Sequence, residues 1–187
     1  MSNVYATCPR IENDRFLLRL VEPDDADYLL RVYSDEKAVP FFNSDNCHGD
    51  DFHYTTLPRM VLAIDMWLRS YKRQDFVRWV VVDKTISAAI GTVELFNRRS
   101  SDAFDNCGIL RLDLRSDYEH MGTIVDILAL IVPPSYTLFG CDRIATKAIP
   151  QAVERICALE ACGFTASCDR LIGHDGTRYG AYFVRSR

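Results

Sequence analysis

Alternating apolar and polar positions predict most of the strands in this chain. The clearest case is the segment from Ile109 to Arg115, where every second residue is a leucine that faces one side. The opposite face carries Ile109, Arg111, Asp113 and Arg115. The same reasoning predicts strands over Arg15–Val21, Val77–Val82, Ile86–Phe96, Asp142–Ile149 and Tyr179–Arg185, with one more beginning at Phe164.

Apolar residues at three- and four-residue spacing predict the helices. One begins at Pro23 and runs to about Ser34, because proline suits a first helical position and acidic residues suit a first turn. Another helix begins at Thr123, and we expect Pro133-Pro134 to end it, because proline lacks the backbone N–H that a helix needs. The remaining helices are predicted over Leu57–Lys72 and Gln151–Cys162, the latter followed by a capping glycine, Gly163.

The order of these elements predicts an α/β (α+β) fold. An antiparallel meander comes first, and a strand–helix–strand crossover follows it, so the sheet is expected to be mixed. No internal repeat, low-complexity tract or linker interrupts the pattern. We therefore predict a single domain over residues 1–187.

The turn Ser116–Gly122 joins the most charged strand to the most apolar helix. A strand that leads through a turn into a helix N-terminus presents free backbone N–H groups and the positive end of the helix dipole. This arrangement is typical of an anion site, so a phosphate-bearing ligand is expected here.

Composition and charge narrow the classes of function. The net charge of −4 argues against a nucleic-acid partner, which needs a concentrated basic surface. No run of about 18 apolar residues is present, so we expect no membrane span. The 7 cysteines include no Cys-x-x-Cys pair and fit reduced thiols in a cytoplasmic protein. Cys157 and Cys162 are expected to be buried.

Four local phrases in the right order resemble the GNAT N-acetyltransferase superfamily, and in particular its branch that acetylates protein N-termini, ribosomal proteins and small amines. The resemblance covers roughly Arg15 to Arg185. The phrases correspond to the opening strand and first helix in RFLLRLVEPDDADYLLRVYSD, the meander in VVVDKTISAAIGTVELF, and the end of the fourth helix in ALEACGF. The resemblance implies a GNAT-like mixed sheet of about six to seven strands with helices on both faces.

The resemblance also implies acetyl-CoA as cofactor, held at its pyrophosphate by a turn of form Arg/Gln-x-x-Gly-x-Gly/Ala. On this chain the turn falls on Glu119, His120, Met121, Gly122, Thr123 and Ile124. Gly122 matches. Glu119 replaces Arg or Gln, and the branched Ile124 replaces a small residue, so repulsion and hindrance are expected to weaken binding. The backbone N–H that polarises the acetyl carbonyl would come from the region of Leu112 and Leu114.

Acetyl transfer requires a base for the amine and an acid for the departing thiolate. The family often has Asn and Ser early in the fourth helix and a tyrosine acid later, where this chain has Ala152, Arg155 and Leu159. Candidate bases are Glu94 and Asp113, and the candidate acid is Tyr182 or Tyr179 on the last strand. For both carboxylates the alternative is structural: Glu94 as an exposed strand residue, and Asp113 as part of a salt-bridged row.

The loop Cys47–His53 contains every residue type that binds a metal ion, but no second ligand cluster accompanies it. We therefore expect a polar loop near the acceptor rather than a metal site. His120 is expected to face solvent.

Two functions follow from these observations. The first is an acetyl-CoA-dependent N-acetyltransferase that acts on a small-molecule amine or a peptide N-terminus, in a chain that forms a possible homodimer. The alternative is a catalytically degenerate GNAT fold that serves as a binding or regulatory module, because the turn and the fourth helix depart from the pattern.

Overall fold

A computed structural model describes residues 4–187 of the chain. Within these residues the α-helices are α1 (Ala26–Tyr33), α2 (Leu57–Arg73), α3 (Met121–Phe139) and α4 (Val153–Ala161). The strands are β1 (Ile11–Glu12), β2 (Phe16–Leu20), β3 (Val77–Asp83), β4 (Ala88–Arg98), β5 (Cys107–Leu114), β6 (Arg143–Lys147), β7 (Thr165–Ala166), β8 (Leu171–Ile172), β9 (Arg178–Tyr179) and β10 (Tyr182–Ser186).

The main sheet has 8 strands in the order β1-β2-β3-β4-β5-β6-β10-β7. All neighbouring pairs are antiparallel except β5 and β6, which are parallel and connected through α3. The mixed sheet confirms the predicted fold class. It is wider than predicted because two-residue strands, β1 and β7, extend its edges.

Helices cover both faces of the sheet, as predicted. The leucines of β5 (Leu110, Leu112 and Leu114) pack under α3 in the larger core cluster. On the opposite face, α1 and α2 pack over Val80 and Ala89. The alternation of β5 therefore places its charged residues on the face that α1 and α2 cover.

Helix α3 continues past Pro133 and Pro134, so the predicted end at the prolines is wrong. Each proline removes one helical hydrogen bond and costs about 3 kcal/mol in a helix interior. Pro133 lacks the N–H that would donate to the carbonyl of Ala129. Both residues are exposed, so they lie on the side of the helix that faces water. Packing after the prolines offsets this cost, because the burial of Tyr136 and of Phe139 each contributes about 1.5–3 kcal/mol.

The extended α3 is, by length and composition, apolar enough to cross a membrane. Core helices of soluble proteins have the same property, and this helix buries Ile124, Ile127, Leu128 and Ile131 against the sheet.

The predicted last strand is divided between two sheets. Arg178–Tyr179 pairs with Leu171–Ile172 in a separate two-stranded sheet, and only Tyr182–Ser186 joins the main sheet. The break falls at Ala181, whose φ of 64° lies in the left-handed region. The capping role of Gly163 is consistent with its φ of +79°.

Gly91 lies on β4 opposite Leu114 of β5, with no room for a side chain. A Cβ on this residue would come within 2.2 Å of the Asp113 carbonyl oxygen and 2.7 Å of Leu114 Cδ2. We expect Gly91→Ala to lower the free energy of unfolding by about 2–4 kcal/mol, because a backbone atom cannot move aside. Urea unfolding measures the change. Gly122→Ala is the control, since its Cβ would meet nothing within 4 Å; equal effects of the two substitutions would contradict the prediction.

Candidate functional site

The turn between β5 and α3 uses most of its own backbone N–H groups. The N–H of Ser116 donates to Asp35 Oδ2 at 2.8 Å. The next donors stay within the turn, at Tyr118, Glu119 and His120. A side-chain carboxylate and three internal bonds therefore occupy donors that an anion would otherwise use.

Helix α3 begins at Met121, earlier than the predicted Thr123. The Met121 N–H donates to Glu154 Oε2 of α4 at 2.7 Å. An acidic side chain therefore already lies at the positive end of the helix dipole. The N–H groups of Gly122 and Thr123 are the remaining donors of the first turn without an intrahelical partner.

Gly122 and Ile124 lie on opposite sides of this turn. Gly122 is exposed, and space beyond its Cα is open. Ile124 is 0% exposed and packs in the core under α3. The expected hindrance from Ile124 is therefore wrong, because a helical residue two positions after an exposed one faces the sheet.

Strands β5 and β6 separate after four paired residues. Their register ends at Leu110 opposite Thr146. The Arg115 N–H donates to β4 at the Ile90 oxygen, so by alternation the N–H and C=O groups of Leu112 and Leu114 point away from β4. These groups face the gap between the diverging strands.

The side chain of Arg155, from α4, occupies this gap. Its Nη1 donates to the Leu112 oxygen at 2.7 Å and to the Phe41 oxygen at 3.2 Å. Its Nε and Nη2 donate to the two oxygens of Glu119 at 2.6 and 2.7 Å. Arg155 is 2% exposed and Glu119 is 9% exposed. The bidentate pair therefore neutralises Glu119 and closes the edge of β5.

The face of the sheet under α1 and α2 carries a buried charge network centred on Arg78. Nη1 of Arg78 donates to Tyr33 Oη at 2.8 Å and to Asp113 Oδ2 at 3.2 Å, and Nη2 contacts Glu94. Glu94 also accepts from Arg111. Arg78, Glu94 and Asp113 are all at most 1% exposed. The expectation of an exposed Glu94 is therefore wrong. Asp113 is salt-bridged as expected, but its partner is Arg78 of β3 rather than an arginine of its own strand, since Arg111 pairs with Glu94 and Arg115 pairs with Asp117.

The two candidate bases differ in their electrostatics. Burial raises the pKa of Glu94, but the charges of Arg78 and Arg111 lower it by a larger amount. The pKa of Glu94 therefore lies below its usual range. Burial raises the pKa of Asp113, and the charge of Arg78 and the hydroxyl of Tyr33 offset only part of this. Asp113 Oδ1 is buried without a hydrogen-bond partner among residues 4–187. Asp113 therefore has the properties of a base more than Glu94 does.

Tyr182 lies on the same face as the charge network. Its hydroxyl donates to Asp45 Oδ2 at 3.1 Å, and Lys147 Nζ lies 2.6 Å from Asp45 Oδ1. Burial and the charge of Asp45 raise the pKa of Tyr182 above its usual range. The other candidate tyrosine, Tyr179, belongs to the separate two-stranded sheet.

Two cavities open on this face and meet at Arg111. Their volumes are about 440 and 340 Å³, and both are lined by Asn46, Phe96 and Arg111. The larger also contacts Tyr182, and the smaller contacts Glu94 and Arg78. Acidic residues and arginines are equally numerous in the combined lining, so the net charge of the chain is not concentrated here.

The loop Cys47–His53 contributes to the smaller cavity. Asp50 in this loop binds Tyr54 Oη at 2.9 Å and Arg59 Nη2 at 2.6 Å. In the described part of the chain, no group of three or more His, Cys, Asp or Glu side chains could hold a metal ion.

Comparison with known families identifies the fold. The family model for the acetyltransferase (GNAT) domain matches residues 15–165. The chain belongs to the GNAT acetyltransferase family. A comparison with curated proteins found no match.

Solved structures of other GNAT proteins share the fold at low sequence identity. Ribosomal-protein-S5-alanine acetyltransferase from Vibrio fischeri has a TM-score of 0.69 and 19% identity, with 96% of each chain covered. A GNAT-family acetyltransferase from Bacillus anthracis has a TM-score of 0.70 and 10% identity, with 95% of this chain and 98% of that chain covered. The microcin C7 self-immunity acetyltransferase, solved with acetyl-CoA and AMP, has a TM-score of 0.68 and 13% identity, with 94% of each chain covered.

The GNAT family generally uses acetyl-CoA, and the gap in this GNAT domain can be tested for that cofactor. The turn fits in part, because Gly122 is open and Glu119 is neutralised. The gap between β5 and β6 does not fit the cofactor in this conformation. Arg155 is hydrogen-bonded to the Leu112 oxygen, which lies between the turn and the expected position of the acetyl group. The cofactor arm and the Arg155 side chain cannot occupy this space together.

Sequence reasoning missed several residues of this GNAT site. Arg78 gave a usable signal, since it is the one charged residue inside the apolar run of β3. Arg155 was noted only as a departure from the family pattern. Asp45, Lys147 and Glu154 gave no local signal, because their partners are 102, 137 or 33 residues away in sequence.

Substitution of Arg78 tests the network. We expect Arg78→Met to lower the free energy of unfolding at pH 7 by about 3–5 kcal/mol, because Asp113 would become an uncompensated buried charge and Glu94 would keep only Arg111 as a partner. The difference in the free energy of unfolding between wild type and variant should become smaller as the pH falls. In the wild type the lowered pKa of Glu94 gives stability that disappears as pH falls, whereas in the variant only Arg111 lowers this pKa and less of that stability is present.

Urea unfolding from pH 4 to pH 8 measures this effect. Arg69→Met is the control, since Arg69 and Asp65 form an exposed pair on α2 and such pairs contribute about 0–1 kcal/mol. A loss for Arg78→Met that does not change with pH would contradict the electrostatic explanation.

Cys47 lines the smaller cavity, and burial raises the pKa of its thiol to about 11. The thiolate is the reactive form, so we expect iodoacetamide at pH 7.5 to modify Cys47 slowly. Cys157 and Cys168 are exposed and should react first. The predicted burial of Cys157 is wrong, because the buried side of α4 is formed by Arg155, Ala158 and Leu159 instead. Peptide mass spectrometry over time separates these sites, and labelling of Cys47 at the same rate would contradict the prediction.

Proposed function

We propose that this GNAT domain transfers an acetyl group from acetyl-CoA to an amine, either a small molecule or a peptide N-terminus. The observation that carries the proposal is the arrangement of β5. Within three residues, this strand presents backbone groups of Leu112 and Leu114 to the gap and the carboxylate of Asp113 to the buried charge network on the face that α1 and α2 cover.

In this reaction the acetyl group moves from the thioester sulfur to the amine nitrogen, the amine loses a proton, and the thiolate gains one. Asp113 is the proposed base, because Oδ1 has no partner in the described chain and burial raises its pKa above the usual value of an aspartate. Tyr182 is the proposed acid, although its proton is held by Asp45 in this conformation. The cavities at Arg111 are the proposed acceptor site.

Amine-dependent release of CoA thiol tests this proposal. We expect thiol release with an amine such as an N-terminal alanyl peptide or spermidine, and a loss of about 10²–10⁴-fold in kcat/KM for Asp113→Asn if Asp113 is the base. The acidic limb of the wild-type pH profile should lie above the usual range of an aspartate, and the variant should lack it.

Asp83→Asn is the matched control, because Asp83 is a strand aspartate of similar burial on β3 that is bound to Thr85 and Tyr118. Unfolding curves confirm that both variants are folded. Equal rates for the wild type and Asp113→Asn would reject Asp113 as the base.

Three contacts of the site residues favour a second candidate, a GNAT-fold module that binds a ligand or partner without acetyl transfer. Both oxygens of Glu94 are paired, Tyr182 is bound to Asp45, and Arg155 fills the gap. Binding of an amine that is never accompanied by thiol release supports this candidate over the first.

A further inference from the structure

Two consecutive residues at the start of α4 reach the two places that a CoA molecule would use. The Glu154 carboxylate accepts from the N–H of Met121 at 2.7 Å, at the N-terminus of α3. The Arg155 guanidinium donates to the Leu112 oxygen at 2.7 Å, on the free edge of β5. The first contact takes the place of a phosphate oxygen, and the second takes the place of an amide N–H.

These two positions are the ends of one path. The pyrophosphate turn lies at the N-terminus of α3, and the polarising strand groups lie at Leu112 and Leu114. The pantetheine arm connects the pyrophosphate of CoA to its sulfur, so it has to pass along the gap that Arg155 occupies. Both ends of the path are therefore engaged by the chain's own side chains.

The two contacts differ in how easily they are displaced. Glu154 is exposed, so a phosphate can replace its carboxylate at modest cost. Arg155 is 2% exposed and makes four hydrogen bonds, two of them to Glu119. Withdrawal of Arg155 would leave Glu119 as a buried charge without its partner. Arg155, rather than Glu154, therefore controls the opening of the gap.

We propose that the Glu119–Arg155 ion pair keeps the CoA gap of this GNAT domain closed, and that CoA binds only to the minor population in which Arg155 has left the gap. The apparent affinity for CoA is then reduced by the fraction of molecules that are open. The contact with the Phe41 oxygen extends the closure to the segment between α1 and α2. This inference deepens the proposed function, since it rests on CoA as the acyl carrier.

The test is the affinity of the full chain for CoA, measured by isothermal titration calorimetry. The double variant Glu119→Gln with Arg155→Ser removes both charges together, so no unpaired buried charge is left. It also restores residues that the family pattern has at these positions. We expect the double variant to bind CoA at least about tenfold more tightly than the wild type, because an open fraction below about one tenth would become the whole population.

Two comparisons make the result specific. Binding of 3′,5′-ADP, which carries phosphates without the pantetheine arm, should be the same for wild type and variant. The double variant Arg19→Ser with Asp25→Asn removes another largely buried bidentate pair, remote from the gap, and should leave CoA binding unchanged.

Equal CoA affinities of wild type and gap variant, or no binding by either, would overturn the proposal. Weaker binding by the gap variant would also overturn it and would show that Arg155 helps to hold CoA. The proposed function fails separately: tight CoA binding by the variant without amine-dependent thiol release would reject acetyl transfer and leave the closed gap supported.

Discussion

The structure depends on the neutralisation of charges that its sheet buries. Arg78 is 1% exposed and lies over the ring of Trp67 at 4.2 Å. An isolated buried guanidinium would cost several kcal/mol, so its partners must be supplied by neighbouring elements. Glu94 and Asp113 come from β4 and β5, and Tyr33 comes from α1. This requirement fixes the register of three strands and the position of a helix at once.

The same principle operates at the edge of β5. Where β6 diverges, the strand leaves a carbonyl and an N–H that have no strand partner, and burial makes an unsatisfied carbonyl costly. A ligand could satisfy these groups, but in this structure Arg155 satisfies the carbonyl of Leu112 and Glu119 neutralises Arg155. The closed gap is therefore a stable arrangement rather than an empty cleft. The pairing with Arg155 also explains why the carboxylate of Glu119 is tolerated in a turn that suits phosphate.

The two parts of the candidate site therefore differ in whether a ligand has room to bind. The face with the cavities is open to a small ligand and balanced in charge, and it presents Arg111 between two cavities. The edge that faces the gap is filled by side chains. Of the charged groups on β4 and β5, Asp113 combines a raised pKa with an oxygen that has no partner within residues 4–187, whereas Glu94 is held by two arginines.

Local pattern was sufficient for the helix positions and the longer strands, and for the faces of those strands. The alternation of β5 placed its leucines under α3 and its charges on the other face, because side-chain direction in a strand has a period of two. Pattern failed at Pro133-Pro134, where packing of residues such as Tyr136 and Phe139 outweighed the helix-breaking effect of proline. Tertiary structure alone decided that Glu119 meets Arg155 and that Glu94 and Asp113 share Arg78. Those pairings join residues up to 36 positions apart, and no local periodicity records which buried charge will neutralise another.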